Sequence, residues 1–104
     1  MINMNSLVCV YLQNPREKFF GRLHELSVQG VQFVGIDIKS FDDWCYELVE
    51  EDEKNIFPSA LYVPSWRIEK IVLDESQGVL KSFSENFYQR TDQKIELYFP
   101  IIEL

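Results

Sequence analysis

The chain has 104 residues, of which 46% are hydrophobic and 26% are charged, a balance typical of one globular domain and not of a disordered, collagen-like or coiled-coil chain. Seventeen acidic and ten basic side chains give a formal net charge of −7, which disfavours general binding to nucleic acid or to anionic membranes. Two cysteines outside any CxxC pair predict buried, reduced thiols, and the absence of a secretory signal or a long apolar run predicts a cytoplasmic protein.

Apolar runs separated by turn residues predict five short strands. They are expected at residues 7–12, 19–28, 31–38, 60–63 and 67–73. Gly30 suits a turn with positive φ, and Gly35 inside the third strand suggests a bulge. Because the first connections are too short for crossovers, we expect a bent antiparallel sheet that closes into a small barrel.

An acidic helix is predicted as an insertion at residues 40–54 of this barrel, which spans residues 7–73. Ser40 is the expected N-cap, with Asp43 completing a capping box. The apolar positions form one stripe, which comprises Phe41, Trp44, Cys45, Leu48 and Val49. The carboxylates of the opposite face form an acidic surface that is either solubilising or partner-facing, and its members are Asp42, Asp43, Glu47, Glu50 and Glu51.

A C-terminal helix and an apolar tail are predicted over residues 82–104. Ser82 and Glu85 form a second capping box. The tail contains Tyr98 and Phe99 among seven large apolar side chains, so we expect it either to close the barrel mouth or to pack on another chain. The whole chain is therefore read as a single domain of α+β class.

Two segments of the sequence resemble the Sm motifs of Sm-like proteins. The first reads Val8-x-Val10-x-Leu12 followed by Phe19-x-Gly21-x-Leu23, and the second runs from Leu61 through Pro64-Ser65-Trp66 to Ile71. The run G-I-D-x-x-S-F-x-D-W at residues 35–44 is also similar to that of a group of small bacterial proteins without an assigned activity. The resemblance implies a five-stranded Sm-like or SH3-like barrel, RNA binding, and ring assembly through the fourth and fifth strands.

The sequence departs from the Sm pattern where that family binds uridine. Residues 25–29 replace the Asp-x-x-Asn run of the family, Pro64-Ser65 replaces its Arg-Gly pair, and Arg67 replaces an Asn. The groups that stack on and hydrogen-bond to the base are not recognisable. RNA is therefore a possible but disfavoured partner, because the fold of a family transfers more readily than its function.

Basic and aromatic residues mark a candidate interaction surface. If Arg16 and Lys18 of the first hairpin approach Arg67, with Phe20 and Trp66 beside them, they form the kind of surface that binds single strands. The alternative is a set of scattered surface bases, comprising Arg16, Lys18, Arg22, Arg67 and Lys70. Trp66 either caps the barrel end or is an interface anchor, and Tyr98 and Phe99 are further interface candidates.

No arrangement of residues predicts catalysis, a cofactor or a metal. His24 is the single histidine and is expected to be a solvated strand residue. The four glycines are too far apart to form a phosphate-binding loop. The sequence therefore favours a non-catalytic small-barrel protein that acts through protein–protein contacts and is expected to form a homo-oligomer; the alternative is an Sm-like RNA-binding protein.

Overall fold

A computed structural model of the chain describes residues 1–103, in which five antiparallel strands form one sheet and two α-helices pack against it. The strands are β1 (Leu7–Leu12), β2 (Glu17–Leu26), β3 (Gly30–Asp37), β4 (Ser59–Pro64) and β5 (Ile68–Leu73), and the helices are α1 (Phe41–Glu50) and α2 (Phe83–Thr91). The predicted α+β class with a five-stranded antiparallel sheet is confirmed. None of the helices in residues 1–103 is long and apolar enough to cross a membrane.

The sheet is not closed into a barrel, and this corrects the sequence-based prediction. Its strand order is β4-β3-β2-β1-β5, so β4 and β5 form the two edges. They are joined by a 3₁₀ helix of only three residues, Ser65–Arg67, which requires a strongly curled sheet. The described residues nevertheless contain no ladder between β4 and β5. Pro64 has no N–H to donate at this junction, and Ser65–Arg67 leave the strand conformation.

Both faces of the sheet are buried, each against its own apolar cluster. The concave face holds seven buried residues, which are Val8, Val10, Leu12, Leu23, Val31, Phe33 and Val63. The opposite face is covered by the helices and the C-terminal segment, and its buried residues are Cys9, Phe20, Ile36, Phe41, Trp44, Cys45, Phe87, Ile95 and Phe99. Neighbouring residues of β1 point into different clusters, which confirms the prediction of a strand buried on both faces.

The middle of the sheet differs from the prediction at its glycines. Gly35 pairs regularly with Gly21 of β2, and the bulge lies instead at His24, between the pairs of Leu23 and Glu25. A Cβ on Gly21 would lie 2.1 Å from the Val34 carbonyl oxygen, so glycine is required there for close strand contact. Gly30 does not adopt a positive φ; a Cβ on it would lie 2.8 Å from the Tyr62 hydroxyl oxygen. The glycine leaves room for that ring.

Helix α1 begins at Phe41, so Ser40 occupies the predicted N-cap position, but the predicted capping hydrogen bond is absent. The Ser40 side chain makes no capping hydrogen bond, whereas the Asp37 carboxylate accepts one from the Lys39 backbone N–H at 2.8 Å. Phe41, Trp44 and Cys45 are buried as predicted, but Val49 is exposed because the helix ends at Glu50. The Lys54 ammonium donates to the Glu47 carbonyl oxygen and satisfies part of this C-terminus.

Helix α2 has the predicted Ser82 cap. The Ser82 hydroxyl accepts a hydrogen bond from the Glu85 N–H at 3.1 Å. Asp74 adds a second cap, because its carboxylate accepts from the N–H groups of Phe83 and Ser84. The helix N-terminus is therefore tied to the end of β5, and this fixes the position of α2 on the sheet.

The C-terminal segment packs on its own chain, over the helix-covered face of the sheet. Ile95 and Phe99 are buried there, and the Phe99 carbonyl oxygen accepts a hydrogen bond from Arg22 Nε at 2.7 Å. Asn5 and Ile102 exchange two further hydrogen bonds. Of the two expectations for this tail, packing within the chain is the one observed, although it covers a face of the sheet and not a barrel mouth.

Candidate interaction surfaces

Strand β4 is an edge of the sheet with no charged residue. We call this strand together with Trp66 the β4 surface; its sequence is Ser-Ala-Leu-Tyr-Val-Pro. Val63 is buried in the concave cluster, whereas the Tyr62 and Trp66 side chains are 54% and 64% exposed. The β4 surface therefore combines unpaired backbone groups with two half-exposed aromatic rings, a combination suited to protein contacts.

The position of Tyr62 is fixed by the neighbouring strand. Tyr62 pairs with Gln32 of β3, and its ring end lies over Gly30, where a Cβ would clash with it. The turn that precedes Gly30 contacts the β4 surface as well, because the Ser65 N–H donates to the Gln29 carbonyl oxygen at 2.9 Å. Val28 in that turn is 93% exposed. An exposed apolar residue is thus held beside the corner that carries Trp66.

The opposite edge, β5, has a different character. Glu69 and Lys70 are both exposed on it, and Asp74 directly follows its last residue, Leu73. Charged side chains on an edge strand discourage uncontrolled pairing with other chains. The two edges are therefore chemically unlike, and of the two, β4 is the one without this protection.

A second feature is an open groove of about 500 Å³ beside the β1–β2 hairpin, which we call the Tyr11 groove. Its wall carries four basic side chains, which are Arg16, Lys18, Lys39 and Lys70. The register of the sheet pairs Tyr11 with Lys18 on β2 and with Lys70 on β5. Both ammonium groups lie near the Tyr11 ring, 5.3 Å and 4.9 Å from its centroid.

Arg67 approaches the first hairpin, as the sequence suggested, but its guanidinium is engaged in structural contacts. Its Nε donates to the Gln13 carbonyl oxygen at 3.0 Å, and its Nη2 donates to the Pro15 carbonyl oxygen and to Glu17 Oε1. These contacts join the corner after β4 to the hairpin between β1 and β2. Arg67 therefore fixes the position of the hairpin that carries Arg16 and Lys18, and both of these side chains are exposed.

Four predicted surface residues lie wholly or partly in the interior instead. Phe20 and Phe99 are fully buried and contact each other with ring centroids 5.3 Å apart, so neither is available as an interface residue. Tyr98 is half-buried against Trp44 and donates its hydroxyl proton to Gln93. Arg22 is also buried, where its guanidinium binds the carbonyl oxygens of Phe99 and Asn5. The prediction of Phe20 and Arg22 as surface residues is wrong, because α1, α2 and the C-terminal segment cover their face of β2.

Two of the five carboxylates on the acidic surface of α1 form contacts within the chain. Asp42 forms an ion pair with Arg90 of α2 at 2.6 Å, and the Glu47 carboxylate accepts hydrogen bonds from the N–H groups of Asn55 and Ile56. Asp43, Glu50 and Glu51 are exposed. Within residues 1–103, no group of three or more His, Cys, Asp or Glu side chains is arranged to hold a metal ion.

The two thiols are buried and free. Burial raises the pKa of Cys9 to about 12, with a smaller contribution from the Asp74 carboxylate. Burial also raises the pKa of Cys45, partly opposed by the Arg90 cation. Both thiols therefore stay protonated at neutral pH, which disfavours nucleophilic chemistry.

Tyr11 is a site residue that the sequence did not predict, although Lys18 and Lys70 were among the predicted surface bases. Tyr11 lies in an apolar run and was assigned to a doubly buried strand. Tyr11 is partly exposed because the helices that cover this face of the sheet end before they reach it. The sequence around Tyr11 does not show where this cover ends. The signal that would have found the groove is the pairing register of three strands, because it places both lysines opposite Tyr11.

Comparison of the chain with protein-family models, with curated proteins and with solved structures gives no match. The resemblance to Sm-like proteins therefore stays an expectation drawn from the two motif-like segments. The surfaces described above carry the functional argument.

Proposed function

We propose that this protein is a non-catalytic interaction module that associates with a second copy of itself through the β4 surface. The observation that carries the proposal is an uncharged edge strand that displays Tyr62 and is followed, in the next 3₁₀ helix, by the exposed Trp66. Exposed edges pair with other chains unless charge, proline or a covering element prevents it. Pro58 precedes β4 and Pro64 is its last residue, so the unprotected part of the edge is limited to the residues between them.

The two edges permit head-to-tail association, in which unlike surfaces of neighbouring copies meet. β4 of one copy meets the charged β5 of the next, and such contacts close into rings when the rotation between copies permits. This is the mode that the Sm resemblance implies for the fourth and fifth strands. Pairing of β4 with β4 around a two-fold axis is the competing arrangement.

The half-exposed rings supply the apolar part of this contact. Trp and Tyr are enriched among residues that dominate binding energy, and burial of an aromatic side chain contributes about 1.5–3 kcal/mol. Trp66 lies in the 3₁₀ helix directly after β4, so backbone pairing along β4 brings its ring against the incoming strand. Backbone pairing and aromatic burial then act on one surface.

A matched pair of lysine substitutions tests this assignment. Tyr62→Lys places a charge on the β4 surface, whereas Tyr46→Lys makes the same change on α1 at a ring of similar exposure, 54% against 57%. We expect light scattering to give an oligomer mass for the full chain and for Tyr46→Lys, and a monomer mass for Tyr62→Lys. A full chain that is monomeric at about 100 µM, a concentration at which even micromolar contacts form, contradicts the proposal.

RNA binding is the alternative function, and the Tyr11 groove is the surface that favours it. Exposed cations beside an aromatic ring are the elements of single-strand binding sites. Against it, the chain carries a net charge of −7, and Phe20, one of the two predicted stacking residues, is buried. A salt-dependent gel shift of single-stranded RNA that Arg16→Ala weakens would favour this alternative over self-association.

A further inference from the structure

The Tyr11 groove is the place where the helix layer leaves the sheet uncovered. Tyr11 lies on the same face of β1 as Cys9, which is buried under the helices, but two residues further along the strand. Ile38, which begins the 3₁₀ turn before α1, borders both the buried cluster and the groove. The groove is thus a concavity bounded by ordered elements on each side.

Cations are concentrated in this groove although the chain as a whole is acidic. The groove holds four of the ten basic residues of a protein with seventeen acids. The three ion pairs of residues 1–103 involve Arg22, Arg67 and Arg90. In the described part of the chain, Arg16, Lys18, Lys39 and Lys70 therefore have no carboxylate within ion-pair distance, even though acids outnumber bases.

Three acids line the groove beside the four bases and neutralise only part of its positive charge. Glu17 is already paired with Arg67 at 2.8 Å, whereas Asp37 keeps its negative charge beside Lys39. Glu69 is exposed on β5. The four ammonium and guanidinium groups therefore remain available to an external anion, whereas an extended polyanion would also meet Asp37 and Glu69.

The positions of Lys18 and Lys70 around the Tyr11 ring favour a compact anion. Lys18 and Lys70 come from strands on opposite sides of β1, and both ammonium groups stand close to the ring. Single-strand binding sites instead offer an open aromatic face on which a base stacks. A small group that accepts hydrogen bonds from several cations at once, such as a phosphate, suits the space between the lysines better than a base.

We propose that the Tyr11 groove is a binding site for a compact phosphate-bearing ligand, held by Lys18 and Lys70 with Arg16 and Lys39 at its rim. The proposal goes beyond self-association and uses no residue of the β4 surface, although Lys70 lies on β5, the strand that head-to-tail association would pair. The ligand chemistry is a phosphate group with several charged oxygens, from either a free phosphate compound or a nucleic-acid backbone, and the groove favours the free compound.

Titration with inorganic pyrophosphate tests the site, with amide NMR shifts as the readout. We expect the largest shifts at Tyr11, Lys18, Lys39 and Lys70 and a single saturable binding curve. Lys18→Gln combined with Lys70→Gln should raise the dissociation constant about tenfold or more, the effect of losing charge-assisted hydrogen bonds. All of these positions except Tyr11 are exposed, so the substituted chain retains its core.

The matched control is Lys81→Gln combined with Lys94→Gln, which removes the same two charges from exposed positions that do not line the groove. This variant should change the dissociation constant by less than about twofold, because distant surface charges are screened. Equal loss in both variants, or no shifts with pyrophosphate, overturns the proposal. A short single-stranded RNA that binds the same residues more tightly than pyrophosphate overturns it in favour of the RNA-binding alternative.

Discussion

Trp44 lies at the centre of the helix-covered core. Its ring stacks on Phe87 with centroids 4.8 Å apart and on Phe99 at 5.7 Å, and edges of Phe41 and Tyr98 meet it from the sides. One side chain thereby joins α1, α2 and the C-terminal segment. The sequence predicted its burial from the 3.6-residue periodicity, but not its contacts with Phe87, Tyr98 and Phe99, which lie more than forty positions away.

Replacement of Trp44 by alanine should therefore destabilise the fold strongly. We expect the free energy of unfolding to fall by about 3–5 kcal/mol, as for other large aromatic residues truncated in a core. Tyr46→Ala on the exposed face of the same helix should cost less than about 0.5 kcal/mol. Urea unfolding of the two variants measures the difference, and similar losses would show that the assigned face of α1 is wrong.

The buried Cys9 thiol makes the free energy of unfolding depend on pH in alkaline solution. Its pKa is raised by burial from an ordinary value of 9.0 to about 12. Between these values the unfolded chain has released the thiol proton while the folded chain keeps it. The free energy of unfolding therefore decreases as pH rises through this range, by up to about 1.4 kcal/mol per pH unit.

The variant Cys9→Ala should lose this part of the pH dependence. Urea unfolding between about pH 8 and about pH 10.5 measures it, with the other titrating groups common to both proteins. We expect the stability difference between the parent and Cys9→Ala to narrow steadily above pH 9, the ordinary value. A constant difference across the range would mean that Cys9 is accessible to solvent in the folded chain.

At the scale of elements, the strands and helices were predictable because each is encoded locally. β1 was located to the residue, since Asn14-Pro15 ends its apolar run, and α2 was located by the Ser82 cap. The start of β2 was missed by two residues, because Arg67, fifty positions away, binds the hairpin and lets the strand begin at Glu17. Closure of the sheet was mispredicted because it depends on contacts between strand edges.

The two helix caps offer a direct comparison of local and tertiary control. Ser82→Ala should cost about 1 kcal/mol, because the Glu85 N–H loses its acceptor. Ser40→Ala should cost much less, since the Ser40 hydroxyl makes no capping bond and Asp37 caps the preceding turn. Thermal unfolding of both variants tests this order, and a larger loss for Ser40→Ala would contradict the observed start of α1.

At the scale of the whole molecule, the helices and the C-terminal segment cover one face of the sheet, whereas the β4 edge stays uncovered by the described residues. Arg22 and Asn5 hold the C-terminal segment by hydrogen bonds, and Phe99 of this segment is buried in the helix-covered core. This burial accounts for the apolar character of the tail. Nothing comparable covers β4 among residues 1–103. The β4 surface could not be predicted in full from the sequence. Whether a strand lies at the edge of a sheet depends on the strand order, and no residue within the strand reports that order.

Self-association through β4 is the central claim, and hydrogen exchange of the backbone amides tests it most directly. Edge amides that pair with a second chain become protected as the protein concentration rises, whereas amides in the middle of the sheet are protected at every concentration. We predict that amides within Ser59–Pro64 gain protection between dilute and concentrated samples, while those of Leu7–Leu12 do not change. Exchange of the β4 amides that is fast and independent of concentration would contradict the account.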